Sequence, residues 1–233
     1  MTQPILIAGA AGGIGRQLVG KLTAQNEDVR ALVRDLARAR TLFTAQDCLQ
    51  LVEGNANQTI TLPNAFAGVR AVICAIGAKA PAGESSPEKV DYEGVRNLVM
   101  AARNASVGRF ILVSSLGVTH PEHPLNNFGR VLDWKLKGEN VLRTSGLNYT
   151  IIRPGGLTDE SGGKTAFRIE QGDTLGGGRI SRSDVAALCL AALDEISTYY
   201  TTFEVVAQEG APPEKLSDLF TGLKTDRELG LHG

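Results

Sequence analysis

The sequence lacks most marks of a membrane, disulfide-stapled or nucleic-acid-binding protein. Its longest apolar run falls far short of the ~20 residues that span a bilayer. The amino end, MTQPILIAGAAGG, enters a strand pattern directly, with no basic stretch and no cleavage-site pattern, so a cytoplasmic location is expected. Cysteine is scarce. Cys48, Cys74 and Cys189 are odd in number and far apart, with no C-x-x-C pair, which argues against a disulfide framework and against zinc. The apolar neighbours of Cys74 and Cys189 mark those two as small core residues. A surplus of positive charge is also missing: 24 Lys and Arg face 25 Asp and Glu, a net charge of −1. Nothing is left over to neutralise a phosphate backbone or anionic lipid, so neither nucleic acid nor a membrane is an expected partner. No internal repeat or low-complexity stretch occurs, and no linker appears before about residue 207.

What is present is ordinary for a soluble globular chain rich in strand-to-helix turns: 42% hydrophobic residues, 21% charged, and 27 glycines in 233 residues. That length suits one large α/β domain with a full core. Short apolar runs alternate with helical patterns. Strands are expected at Ile5–Ala8, Val29–Val33, Leu49–Glu53, Ala71–Ile76, Arg109–Ser114, Tyr149–Arg153 and Phe203–Val206. Helices are expected over about 14–23, 86–104, 126–144 and 183–193, with Ser183 and Asp184 capping the last. The alternation predicts right-handed βαβ crossovers, hence a single-domain, Rossmann-type, doubly wound parallel sheet over residues 1–206. Substrate-side loops are expected at 116–128 and at the Gly-, Thr- and Ser-rich stretch 155–178, read as a flap. Residues 207–233 read as a turn, one short amphipathic helix and a frayed polar tail.

The chemistry concentrates in Gly9-Ala-Ala-Gly12-Gly-Ile-Gly15, between the strand ILIA and the helix IGRQLVGKL. A three-glycine string alone is weak evidence; a strand before it and a helix after it make it strong. Gly9 permits the tight turn, Gly12 lets a pyrophosphate approach the backbone, and Gly15 lets helix pack on strand. The turn residues Gly9, Ala11, Gly12, Gly13, Ile14 and Gly15 are therefore assigned to a dinucleotide, its pyrophosphate on the helix amino end. The tip of the second strand selects the cofactor: an acidic residue there would bind the ribose 2′-hydroxyl of NAD, an arginine the 2′-phosphate of NADP. Here ALVRD puts Arg34 at the tip, where its fork can pair a phosphate bidentately. Arg16 and Arg38 are candidates for added charge, and Asp35 is the competing ribose ligand. NADP(H) is expected ahead of NAD.

The glycine spacing, ALVRD, VICAIGA, VDYEGVRNLVMAA, FILVSSLGV, LNYTIIRPGGL and ISRSDVAALCLAAL together resemble the atypical short-chain dehydrogenase/reductase superfamily, over residues 4 to about 206. Within it the chain is similar to the NmrA-like, biliverdin reductase B-like group. The resemblance implies that Gly54-Asn55 contacts the adenine side. Ala75, Ile76 and Gly77 would run under the adenine ribose and pyrophosphate, and Pro154 and Gly155 would border the nicotinamide. It also places the Tyr-x-x-x-Lys lysine at Lys135, as a ribose ligand. The tyrosine position holds Val131, so the usual proton donor is missing, and Trp134 cannot titrate in its stead. Ser114-Ser115 keep the serine region; Ser115 is assigned to the reacting end, and a strand-end hydroxyl capping its own backbone is the competing reading. Such a site suits hydride transfer to a small, flat, conjugated acceptor (a flavin, quinone or tetrapyrrole), or binding of NADP(H) without turnover by a redox sensor or an assembly or regulatory protein. His120, Glu122 and His123 form a polar cluster with no third ligand at metal spacing, so no metal is expected, and His120 is a candidate substrate-loop residue. A monomer or homodimer is expected.

Overall fold

A computed structural model of the chain describes residues 3–231. Its strands are β1 (Ile5–Ala8), β2 (Val29–Val33), β3 (Leu49–Glu53), β4 (Ala71–Cys74), β5 (Arg109–Val113), β6 (Tyr149–Pro154), β7 (Gly156–Thr158), β8 (Ala166–Glu170), β9 (Arg179–Ser181) and β10 (Thr201–Gln208). Eight of them form one sheet in the order β3-β2-β1-β4-β5-β6-β10-β8. Every residue of β1, β4, β5 and β6 is buried, as expected for strands covered on both faces.

Helices α1 (Gly13–Ala24), α2 (Leu36–Leu42), α3 (Pro63–Phe66), α4 (Val95–Asn104), α5 (Val131–Arg143) and α6 (Arg182–Leu193) supply that cover. Side chains of α1, α2 and α6 build one core, and those of α3, α4 and α5 the other. On α1 the buried stripe Ile14, Leu18, Val19 and Leu22 recurs at helical spacing. At roughly 1.5–3 kcal/mol per buried aliphatic side chain, this face outweighs the helix's intrinsic propensity. Cys74 and Cys189 are buried as expected, and burial pushes both thiols up to about 12.

The departures from expectation have local causes. The stretch 155–178 is not only a flap. It gives β7, which pairs with β9, and β8, which runs antiparallel beside β10 and closes an otherwise parallel sheet. Alternating Phe167 inward and Arg168 outward is a strand signal, obscured by the glycines on both sides. The second expected helix opens as a π-helix, Glu88–Gly94, before α4. The third is broken: Gly129 and Arg130 are both left-handed (φ +58° and +59°), so α5 starts only at Val131. Ser181, not Ser183, caps α6, accepting the Asp184 N–H at 3.0 Å. The short helices α2 and α3 carry too little periodicity to be expected.

The expected frayed tail is packed down over residues 207–231, and the last two residues lie outside those described. β10 runs on to Gln208, and Leu216–Phe220 forms a 3₁₀ turn that buries Phe220 against Phe203, ring centroids 5.6 Å apart. Asp226 is buried, 2.9 Å from Arg143, and accepts the Tyr149 hydroxyl at 2.9 Å.

Candidate functional site

The strand order turns back between β1 and β4, and ligands of open α/β sheets bind outside the strand carboxyl ends at such a point. A cavity of about 590 Å³ lies there. Its floor is the glycine turn. Gly9 has φ +85°, and a Cβ on it would stand 2.6 Å from the Ala75 carbonyl oxygen. A Cβ on Gly15 would be 2.1 Å from the Gly9 carbonyl oxygen and 2.7 Å from the Ala10 Cα. The Gly12 N–H closes the turn on the Gly9 carbonyl at 2.9 Å. Gly9, Ala11, Gly12, Gly13 and Ile14 line the cavity, whereas Gly15 works from behind it. No side chain caps α1 and no acidic residue stands in its first turn. Its free amides and positive dipole end therefore fit the diphosphate of a dinucleotide.

At the β2 tip, Arg34 is exposed on the cavity rim. Asp35 is engaged elsewhere: it caps α2, accepting the Arg38 N–H at 2.9 Å. Neither Arg16 nor Arg38 lines the cavity; Arg16 lines a separate groove on the outer side of α1. The expected extra charge is thus absent from this pocket. Asn55, Ala75, Ile76 and Gly77 line the wall beyond β3 and β4.

Lys135 reaches the cavity from α5, with its Nζ 2.7 Å from Asp91 Oδ1. Asp91, nearly fully buried, also accepts the Ala78 N–H at 3.1 Å, which ties the turn after β4 to this pair. No sequence signal pointed to Asp91. It is presented by the π-helix, a distortion frequent at functional sites. Val131 lines the cavity at the first position of α5, where the tyrosine would stand. Ser115 also lines it, but its hydroxyl donates to the Leu116 carbonyl at 3.0 Å, so it is held by its own backbone. Ser114 is buried beside the Glu139 carboxylate.

Pro154 and Gly155 complete the far wall, on the strand end that follows Arg153. Arg153 and Glu139 are fully buried, paired at 3.0 Å (Nε to Oε1) and 2.6 Å (Nη2 to Oε2), and Arg143 joins Glu139 at 2.9 Å. Burial alone would raise the Glu139 carboxyl; Arg153 and Arg143 outweigh it and hold the group below the usual range. Glu204 makes a looser approach to Arg153, 3.5 Å, and burial pushes its carboxyl up to about 6. The fold therefore favours protonated Glu204: its cost is present above about pH 6 and is relieved as pH falls towards 4.5. Glu204→Gln is expected to stabilise the protein at neutral pH by up to about 2 kcal/mol and to flatten its stability across that window. Urea unfolding at several pH values checks this, and an unchanged slope would refute it.

Outside the cavity lining, one residue ties the two expected loops together. Asp173, buried and left-handed (φ +60°), accepts N–H bonds from Gly117 at 2.7 Å and Thr119 at 2.8 Å, and the Thr119 hydroxyl at 2.8 Å. Burial raises its carboxyl, but these donors outweigh it and leave the group below its ordinary range. His120 Nε2 is 3.0 Å from the Asp173 carbonyl oxygen, whereas His123 Nδ1 accepts the Leu125 N–H at 3.2 Å. The two imidazoles serve different partners, and among the described residues no group of three or more His, Cys, Asp or Glu is placed to hold a metal. Leu125 and Phe128, 49% and 37% exposed, give the cavity an apolar lip. No helix among the described residues is long and apolar enough to cross a membrane.

Comparison with known proteins gives the family and the fold. A family model described as NAD(P)H-binding covers residues 9–196. An uncharacterized chloroplastic protein of Arabidopsis thaliana is 37% identical over 96% of this chain and 83% of its own. Protein TIC 62 of the same plant is 34% identical over 96% of this chain, which spans only 38% of that longer protein. Sanguinarine reductase of Eschscholzia californica is 29% identical over 92% of this chain and 91% of its own. Among solved structures, a candidate NAD-dependent epimerase/dehydratase of Bacillus halodurans superposes with a TM-score of 0.82 at 27% identity, over 94% of this chain and 98% of the other. An anaerobilin reductase of Escherichia coli O157:H7 superposes at 0.74, also 27% identical, over 90% and 100%.

Proposed function

Because this chain belongs to the NAD(P)H-binding family, within the atypical short-chain dehydrogenase/reductase superfamily, we propose that it is an NADP(H)-dependent reductase of a flat, conjugated acceptor. The carrying observation is the pairing of an open, uncapped helix amino end with an apolar lip across one cavity that contains no tyrosine. When bound, the reduced nicotinamide supplies the hydride. The chain's own groups bind and orient: the glycine turn takes the diphosphate, Lys135 the nicotinamide ribose, and Leu125 and Phe128 the face of the acceptor. With Val131 at the tyrosine position and Ser115 tied to Leu116, the proton comes from water or the acceptor itself, which suits a π system that accepts hydride readily. Two of the relatives are named as reductases, of sanguinarine and of anaerobilin.

The choice of NADP(H) over NAD(H) rests on Arg34 at the rim and on Asp35 being spent as a helix cap. Arg34→Ala is expected to weaken NADPH binding by about 1.5–3 kcal/mol, the range for bonds to a charged group, and to leave NADH nearly unchanged. Calorimetry with both coenzymes measures this, and equal losses would remove the phosphate-reading role. A second reading, a non-catalytic NADP(H) sensor, is favoured by the backbone-tied Ser115. NADPH oxidation across flavins, quinones and tetrapyrroles separates the two: tight binding without turnover would sink the reductase.

A further inference from the structure

The glycine turn carries no basic side chain of its own that faces the diphosphate site. Arg16 points to the outer groove, Arg34 sits at the far rim, and Lys135 is paired with Asp91. A cation that does lie over the turn comes from far along the sequence. Arg182 is the first residue of α6, set there by the Ser181 cap and by the tight packing of α6 against α1. Its side chain lies directly over Gly13: a Cβ on that glycine would be 2.5 Å from Arg182 Cδ and 2.8 Å from Nε. The stem thus crosses the first turn of α1, and Arg182 stands between the cavity of Gly9, Gly12 and Gly13 and the outer groove of Arg16 and Asp159, lining both.

Among the described residues Arg182 has one charged partner, Asp159, whose Oδ1 accepts from Nη1 at 2.8 Å. Asp159 is 88% exposed, so this ion pair is screened by water and holds the guanidinium only weakly. An arginine carries five N–H donors in a rigid fork suited to phosphate oxygens, and most of these are uncommitted here. A diphosphate on the open amides of α1 would offer Arg182 a stronger, less solvated partner than Asp159 does.

We infer that Arg182 is the diphosphate clamp of this site, a side chain from α6 that closes over Gly13 onto the anion held by the first turn of α1. This rests on the nucleotide reading above. It also gives the bare glycine at position 13 a second purpose, since any side chain there would displace the arginine. Because the diphosphate is common to both coenzymes, the clamp adds affinity without choosing between them, and the choice stays with Arg34.

The test is calorimetric titration with NADPH and with adenosine 2′-monophosphate, which has the 2′-phosphate and no diphosphate. Arg182→Met keeps the aliphatic cover on Gly13 and removes the charge. It is expected to lose about 10–100-fold in NADPH affinity, with a shallower salt dependence, while adenosine 2′-monophosphate binds as to the wild type. Arg34→Ala is expected to lose affinity for both ligands. The clamp is overturned if Arg182→Met binds NADPH within about twofold of the wild type, or loses both ligands alike. Wild-type protein that binds neither ligand would instead remove the nucleotide reading, and the clamp with it. Matched melting temperatures of variant and wild type without ligand show that the fold is intact.

Discussion

Glu139→Ala is expected to destabilise the protein by about 3–5 kcal/mol, the cost of removing one partner from a buried ion pair. Glu139 is fully buried and neutralises Arg153 and Arg143 together. Without it Arg153 keeps as an ion-pair partner only Glu204, at 3.5 Å and disposed to protonate, so its guanidinium would be stranded in the core, whereas Arg143 keeps Asp226. For a chain of this size the loss corresponds to a fall in Tm of roughly 6–20 °C. Glu139→Gln retains an acceptor for Arg153 and should fall between the two. Urea and thermal unfolding measure the effect; a loss under about 1 kcal/mol would mean that water reaches these charges. Because Arg153 directly precedes Pro154, the last residue of β6, and so sets the cavity wall at Pro154 and Gly155, the same variant is expected to weaken nucleotide binding beyond its effect on stability.

The second large effect falls on binding. Gly15→Ala would put a methyl group 2.1 Å from the Gly9 carbonyl oxygen and 2.7 Å from the Ala10 Cα, both backbone atoms with no freedom to swing aside. Either the turn opens or α1 lifts from β1, and in both cases the amides at the helix amino end lose their common focus. NADPH affinity is expected to fall at least about 100-fold, equivalent to about 2.7 kcal/mol. Overpacking is expected to cost about 1–3 kcal/mol of stability. Gly20→Ala on the same helix is the control: nothing lies within 4 Å of its Cβ position. That change should preserve binding and stabilise the helix by roughly 0.5–1 kcal/mol. Comparable losses of NADPH binding in the two variants would show that helix integrity, not the turn, controls affinity.

The parts of this site that were legible in the sequence are those written in consecutive residues. GAAGGIG between a strand and a helix carries its own geometry, and Arg34 follows from its place at a strand end. Lys135 followed from a motif on one helix. Asp91, Arg182, Glu139 and Arg153 were not read because their roles depend on partners far along the chain: 91 with 135, 182 with 13, 139 with 153. Each is an ordinary charged residue until the sheet brings its partner close. Arg16 misled for the converse reason, since adjacency to Gly15 does not fix which flank of α1 it occupies. β8 escaped because five residues between glycine-rich stretches have little periodicity of their own, and pairing with β10 supplies what the local pattern does not.

Asp173 has a mechanical consequence. One carboxylate holds three donors from the segment after β5, while its own backbone belongs to the segment after β8. Parting these segments would leave a buried anion and two peptide N–H groups without partners, an unfavourable intermediate. The two segments should therefore move as a single rigid panel, with few half-parted arrangements.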